Sequence, residues 1–145
     1  MANEITATKQ KIKEMILKDS EITKILLDGK ENNYENVKGL VGKNIFNYIN
    51  DDCTTDSSIR ISYDVDYTYS DIYPEYPDDE VSATIIIQPI GLGNPCDEMY
   101  NSYTDILSEK IVEDVLKTFK PVEYFNVAES TEHNSIRRKI KFTIK

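Results

Sequence analysis

Few side chains in this sequence are of types that do chemistry, and their spacing decides how each is read. Five carboxylates, Asp71, Glu75, Asp78, Asp79 and Glu80, fall within ten residues. A hard cation such as Ca²⁺ or Mg²⁺ wants several oxygens, but the run lacks the D-x-D-x-D-G order of a calcium loop, and a solvated acidic arm is the simpler reading. Asp64 and Asp66 have the types of a general acid and base; on one strand face, with no fixed partner to raise one pKa, they read as surface carboxylates. Cys53 and Cys96 have no C-x-x-C spacing and His133 is the only histidine, so one chain cannot supply a Cys/His zinc site. The thiols read as reduced and free, and His133, beside Glu132 in a turn, as exposed. The run G-L-G-N-P from Gly91 to Pro95 lacks the third glycine and the immediate helix of a dinucleotide fingerprint, so it reads as a turn. The basic series Arg137, Lys139, Lys141 and Lys145 has the types that touch phosphates, but pairing with acidic neighbours suits the charge of the rest better. No catalytic residue, cofactor site or metal site emerges, and this chemistry alone does not say what the protein does.

Charge is the more informative property. The net charge of −9 is concentrated in residues 51–100, which hold twelve Asp and Glu against one Arg. The segments on either side are near neutral. A broad basic face that neutralises phosphates is therefore not expected, and the charge permits a surface that repels DNA. With 145 residues, 39% of them hydrophobic, the chain has the size of one domain spanning 1–145, burying roughly two thirds of its unfolded surface. Its longest apolar runs are three or four residues, far short of the ~20 of a membrane span. The N-terminus lacks a basic region followed by an apolar one, so a soluble cytoplasmic protein without membrane contact is expected.

The elements that must position these side chains follow from periodicity. Thr8, Ile12, Met15 and Ile16 recur at helical spacing and predict an amphipathic helix over Ile5 to Lys18. Asp19 or Ser20 then breaks the chain, and Ile22, Ile25 and Leu26 predict a second short helix ending at Gly29. The polar run from Lys30 to Asn36 reads as loop or a frayed turn, and Leu40 to Asn50 as a turn leading into a short strand. From Ile59 to Tyr69 the alternation is unbroken, with Ile59, Ile61, Tyr63, Val65, Tyr67 and Tyr69 on one face and Arg60, Ser62, Asp64, Asp66 and Thr68 on the other. The acidic loop follows, its two prolines forbidding a regular ladder. Val81 to Ile90 contains three successive isoleucines, the pattern of a central strand covered on both sides. Ile85 and Ile87 should face one way and Ile86 the other. Tyr103, Leu107, Ile111, Val115 and Phe119 step by four, widened by Ile106, Val112 and Leu116, which predicts a helix capped by Ser102 and stopped by Pro121. Leu107, Ile111 and Val115 should cover one side of the isoleucine strand. The segment from Val122 to Val127 predicts a further strand, paired as a hairpin with Ile136 to Lys145, where Ile136, Ile140, Phe142 and Ile144 oppose Arg137, Lys139, Lys141 and Lys145.

The economical arrangement is α+β: a mostly antiparallel sheet of three to four strands, two main helices packed on one face, and a long acidic loop between the first two long strands. Were the acidic-faced first strand to neighbour the basic-faced last one, cross-strand ion pairs would each contribute ~0.2–1 kcal/mol. Otherwise these faces meet other subunits.

The succession of I-L-K-D-S-E-I-T-K-I-L-L, L-V-G-K-N-I-F-N-Y-I, I-S-Y-D-V-D-Y, V-S-A-T-I-I-I-Q-P-I, D-I-L-S-E-K-I-V-E-D-V-L-K-T-F and R-R-K-I-K-F-T-I-K resembles the tail terminator, or tail completion, proteins of long-tailed bacteriophages and phage-tail-like particles. The likeness covers nearly the whole chain as architecture and spacing, and the acidic loop departs from it in length and charge. The resemblance implies a structural virion protein rather than an enzyme, with itself as partner in a ring, expected to be a hexamer. It implies further contacts with the tail tube or sheath protein and with the head connector protein. Such a ring caps the tube, ends polymerisation and presents the head–tail docking surface. It sits in the tail-neck region of the virion, is assembled in the bacterial host cytoplasm, and lets DNA pass without specific binding. A head-closure or connector protein of the same neck is the alternative, and a small enzyme or regulatory binding domain a third. Under the first reading Asp64 and Asp66 of one subunit are candidates to contact Arg137, Lys139 and Lys141 of the next. Asp71, Tyr73, Glu75, Tyr76, Asp78, Asp79 and Glu80 then form a candidate loop toward the lumen or the tube end, with the tyrosines giving its apolar contacts.

Overall fold

The computed structural model describes residues 2–49, 59–68, 80–89, 98–130 and 136–144. Two helices lead, α1 (Ala2–Lys18) and α2 (Ser20–Leu27), followed by a short α3 (Tyr34–Lys38) and a two-residue strand β1 (Ile45–Phe46). Strands β2 (Ile59–Thr68) and β3 (Glu80–Pro89) come next, then the long helix α4 (Glu98–Thr118) and strands β4 (Glu123–Ser130) and β5 (Ile136–Ile144).

Asp19 separates α1 from α2 because its backbone is extended while its carboxylate accepts from the Glu21 and Ile22 amides, at 3.0 and 3.3 Å. Those amides have no partner inside the helix, so the cap starts a new helix instead of prolonging the old one. Asp28, not the anticipated Gly29, takes the first left-handed position at the end of α2, with φ 50°. A short polar side chain tolerates that region better than most. The polar run expected to be loop contains α3, started by the Asn33 side chain accepting from the Asn36 amide at 2.9 Å. Helix α4 begins several residues before the expected start, so Ser102 lies within it and is not its cap. It stops before Pro121, with Lys120 at φ 47° turning the chain into β4.

The sheet has five strands in the order β1-β2-β3-β5-β4, antiparallel throughout except for the parallel β1–β2 pair. A buried Asn44 fixes that pair: its side-chain amide donates to the Ile59 carbonyl at 2.8 Å, and its own carbonyl accepts from Ile61 N–H at 2.7 Å. The β4–β5 pairing runs from Glu123 opposite Thr143 to Ser130 opposite Ile136, as the predicted hairpin requires. Strand β3 separates the acidic-faced β2 from the basic-faced β5, so the direct cross-strand ion pairs considered above do not arise.

All helical packing falls on one face. Ile61, Tyr63, Val65, Ala83, Ile85, Ile87, Ile140 and Phe142 turn toward the helices and form one core with Ile12 and Ile16 of α1 and Leu107, Ile111 and Val115 of α4. Ile106 and Leu116, expected to widen the α4 stripe, are instead exposed. The Phe119 and Phe142 rings lie 5.0 Å apart, with the Lys11 ammonium 6.0 Å from the Phe119 centroid, joining α1, the end of α4 and β5. Strand β3 is central as expected, yet among the described residues helices cover only one of its sides. Ile86 faces away from the core cluster and is nevertheless only 5% exposed.

Candidate functional site

The face opposite the helices is where the charged candidates gather. The strand registers place Asp64, Thr84, Lys141 and Phe125 in one row across it, and Ser62, Ile86, Lys139 and Val127 in the next. Gln88 lies opposite Arg60, and Glu129 opposite Arg137. Acid thus stands on β2, base two strands away on β5, and an aromatic and an aliphatic residue on β4.

Local pairing claims part of this charge. Lys9 of α1 reaches Asp64, Nζ to Oδ1 at 3.3 Å, and also donates to the Asn47 carbonyl at 3.1 Å. Glu129 accepts from Arg137 Nε at 2.8 Å, and Lys139 Nζ lies 3.9 Å from its other oxygen. Asp66 and Lys141 remain exposed. Two residues of the polar face of β2 are buried, Arg60 at only 3% exposed and Ser62 at only 2%. Strand β1 places Phe46 beside Ser62, and the Arg60 guanidinium lies 5.6 Å from the Phe46 ring, so an aromatic plane shelters the cation. Patterning of β2 alone holds no sign of β1.

The two sheet edges are unlike. Strand β1 covers β2 only at Ile61 and Ser62, and beyond it the Lys9 side chain crosses the edge at Asp64. Among the described residues strand β4 is terminal in the sheet along its whole length. Its large apolar residues are open to solvent: Val122 just before it at 61%, then Tyr124 at 46%, Phe125 at 47% and Val127 at 39%. An uncovered strand of this kind presents a row of free main-chain donors and acceptors. The sequence marked these residues as a strand and said nothing of their exposure.

A second unforeseen arrangement sits among the helices. Burial holds the Asp114 carboxyl of α4 well above the usual range, at about 7, reinforced by a hydrogen bond with Asp19 and by the charge of Asp19 and Glu113, with Lys117 opposing. Burial also raises Asp19, but that hydrogen bond, the Ile22 and Glu21 amides and the nearby Lys110 outweigh it and hold Asp19 below its ordinary value. Asp114 Oδ2 is shielded from solvent and has no donor facing it. Below about pH 7 the proton of the pair therefore rests on Asp114, which then serves as the donor toward Asp19. Lys110 meanwhile pairs with Glu21. No spacing rule links residues 19 and 114, since only the packing of α2 on α4 brings them together.

Of the acidic loop, Glu80 alone lies in the described residues, half-buried at the start of β3 opposite Thr68. Asp71, Tyr73, Glu75, Tyr76, Asp78 and Asp79 lie outside them, as do Cys53, Cys96, His133, Lys145 and the run from Gly91 to Pro95. Among the described residues no cluster of three or more His, Cys, Asp or Glu could hold a metal ion, and no helix is long and apolar enough to cross a membrane. Comparison with protein-family models, with curated proteins and with solved structures finds no match.

Proposed function

We propose that this chain is a structural assembly subunit that forms a ring, expected to be hexameric, capping the tail tube of a long-tailed bacteriophage or phage-tail-like particle. The ring ends tube polymerisation and gives the head connector its docking surface. The order of elements resembles the tail terminator proteins, and the observation that carries the reading is the unequal charge across one open sheet face. Exposed Asp66 lies on β2 toward one side and exposed Lys141 on β5 toward the other. Two patches of opposite charge, two strands apart on one face, suit a head-to-tail contact, which closes into a ring when the rotation between neighbours divides a full turn. Asp64 and Lys139 are weaker participants than their positions in sequence suggest, because Lys9 and Glu129 already engage them.

Native mass spectrometry of the purified protein, alone and with tubes assembled from its cognate tube protein, is the test. A ring mass is expected. Lys141→Glu should weaken the ring, and Asp66→Lys in the same chain should restore part of it. A wild-type protein that stays monomeric both free and with tubes overturns the reading.

A further inference from the structure

Asp19 and Asp114 meet where α1, α2 and α4 pack on one another. A hydrogen bond between two carboxyl groups exists only while one of them keeps its proton. The Asp19 carboxylate has a second task, because it starts α2 by accepting from the Glu21 and Ile22 amides at 3.0 and 3.3 Å. One side chain thus caps α2 and fastens that cap to α4. We infer that this contact is a proton-operated latch: when Asp114 loses its proton, the Asp19 carboxylate turns out to solvent, leaving α2 uncapped and the elbow between α1 and α2 loose.

The charged groups around the pair leave no other way to absorb a second negative charge. Asp114 Oδ2 is shielded from solvent and has no donor. One helical turn away on α4, Lys110 is already engaged by Glu21 of α2 and by Glu113. Lys117, a turn away on the other side, draws Asp114 toward its charged form, but burial and Asp19 act more strongly the other way, and Glu113 adds to them. From α1 the exposed Lys18 stands beside Asp19 in the chain. Which carboxyl yields follows from how each is anchored. Asp114 lies on a long helix between Ile111 and Val115, both buried in the core, so its backbone is fixed. Asp19 is the single residue between two helices, only half-buried, with its N–H held by the Ile16 carbonyl at 3.3 Å. Past the elbow, Ile22, Leu26 and Leu27 are buried, too much apolar surface to expose for one charge, so α2 stays packed while its cap opens.

Nuclear magnetic resonance of the full chain tests the latch, in a His133→Gln background so that no imidazole titrates in the same window. The Glu21 and Ile22 amide signals should shift with the same midpoint as the Asp114 carboxyl. Their protection against hydrogen exchange should fall roughly 10-fold between about pH 6 and about pH 8, the change that an Asp114 pKa of about 7 with the latch closed and 3.8 with it open requires. Asp19, held below its ordinary value, does not titrate in that range. Leu26 and Leu27 amides should keep their protection. Asp114→Asn offers Asp19 a donor at every pH, and Asp19→Asn keeps a capping oxygen while donating to the Asp114 carboxylate, so either variant should abolish the pH response of the two amides. An Asp114 that titrates in the ordinary carboxylate range overturns the inference. So does one that titrates near 7 while the Glu21 and Ile22 signals stay still, because the α4 carboxyl has then moved instead, and so does a pH response that survives in both Asn variants. These helices lie on the sheet face opposite the charged one, so the result stands apart from the ring reading.

Discussion

The two faces of the sheet bury their isoleucines for different reasons, and β3 shows this within three residues. Ile85 and Ile87 are closed off by α1 and α4, elements from distant parts of the chain, whereas Ile86 lies between the cross-strand neighbours Ser62 and Lys139. One face is dry because helices exclude water from it. The other, with no helix on it among the described residues, is dry only locally, at Ile86 between its cross-strand neighbours and at Arg60 and Ser62 beside Phe46. Near-equal burial therefore does not mean equal energetic weight, and the covered face should carry the stability while the open face stays available for contact.

The largest effects should separate the two faces. Ile85→Ala or Ile111→Ala is expected to cost ~2–5 kcal/mol in denaturant unfolding, since each leaves a cavity among fixed neighbours. Ile86→Ala should cost about 1–2 kcal/mol, because flexible side chains can close over the gap. Equal losses at Ile85 and Ile86 would erase the distinction. Next in size is a pH effect confined to the helical side. Between the ordinary carboxylate value of 3.8 and about 7, the folded chain keeps a proton on Asp114 that the unfolded chain has lost. Stability should then fall as pH rises through that window, with the loss complete above about 7. Asp19, lowered, acts oppositely: its contribution is present above 3.8 and disappears as pH falls through its folded value. Asp114→Asn should flatten thermal stability between mildly acidic and mildly alkaline buffers and raise it in the alkaline one. An undiminished slope in that variant would point to another group. The smallest effects belong to the open face, where Lys9→Met or Glu129→Gln should each change stability by only ~0.2–1 kcal/mol, fading with added salt. A larger loss from either would make the open face a structural one.

How far the sequence could be read follows from the range of the forces involved. Period-two and period-3.6 patterns located β2, β3, β5, the body of α4 and the helix-facing residues, because each pattern reports on one element meeting one layer. The α+β class followed from the order of those elements. Strand β1 falls within the short strand expected of Leu40 to Asn50, but its place beside β2 did not follow because two residues carry no period, and with that pairing went the burial of Arg60, which depends on Phe46 arriving beside it. Ile106 and Leu116 satisfied a helical stripe without being buried, since the width of the stripe depends on what packs against it. Charge on β2 and β5 was legible residue by residue, but the strand between them was not, nor were Lys9 and Glu129 as local partners. The carboxyl pair and the bare edge of β4 exist only in three dimensions.

The Asn44 clamp has a consequence for how fast main-chain hydrogens trade with deuterium. By tying Ile61 N–H and the Ile59 carbonyl to one buried residue, it gives the outer side of β2 two bonds at a place where a sheet would ordinarily fray. The Ile61 amide should therefore exchange as slowly as amides of the central strands, while the outward amides of β4 exchange at once in the isolated subunit. A slow rim and a fast rim on one small sheet give every residue of β4 an internal clock, against which the arrival of a pairing strand can be timed.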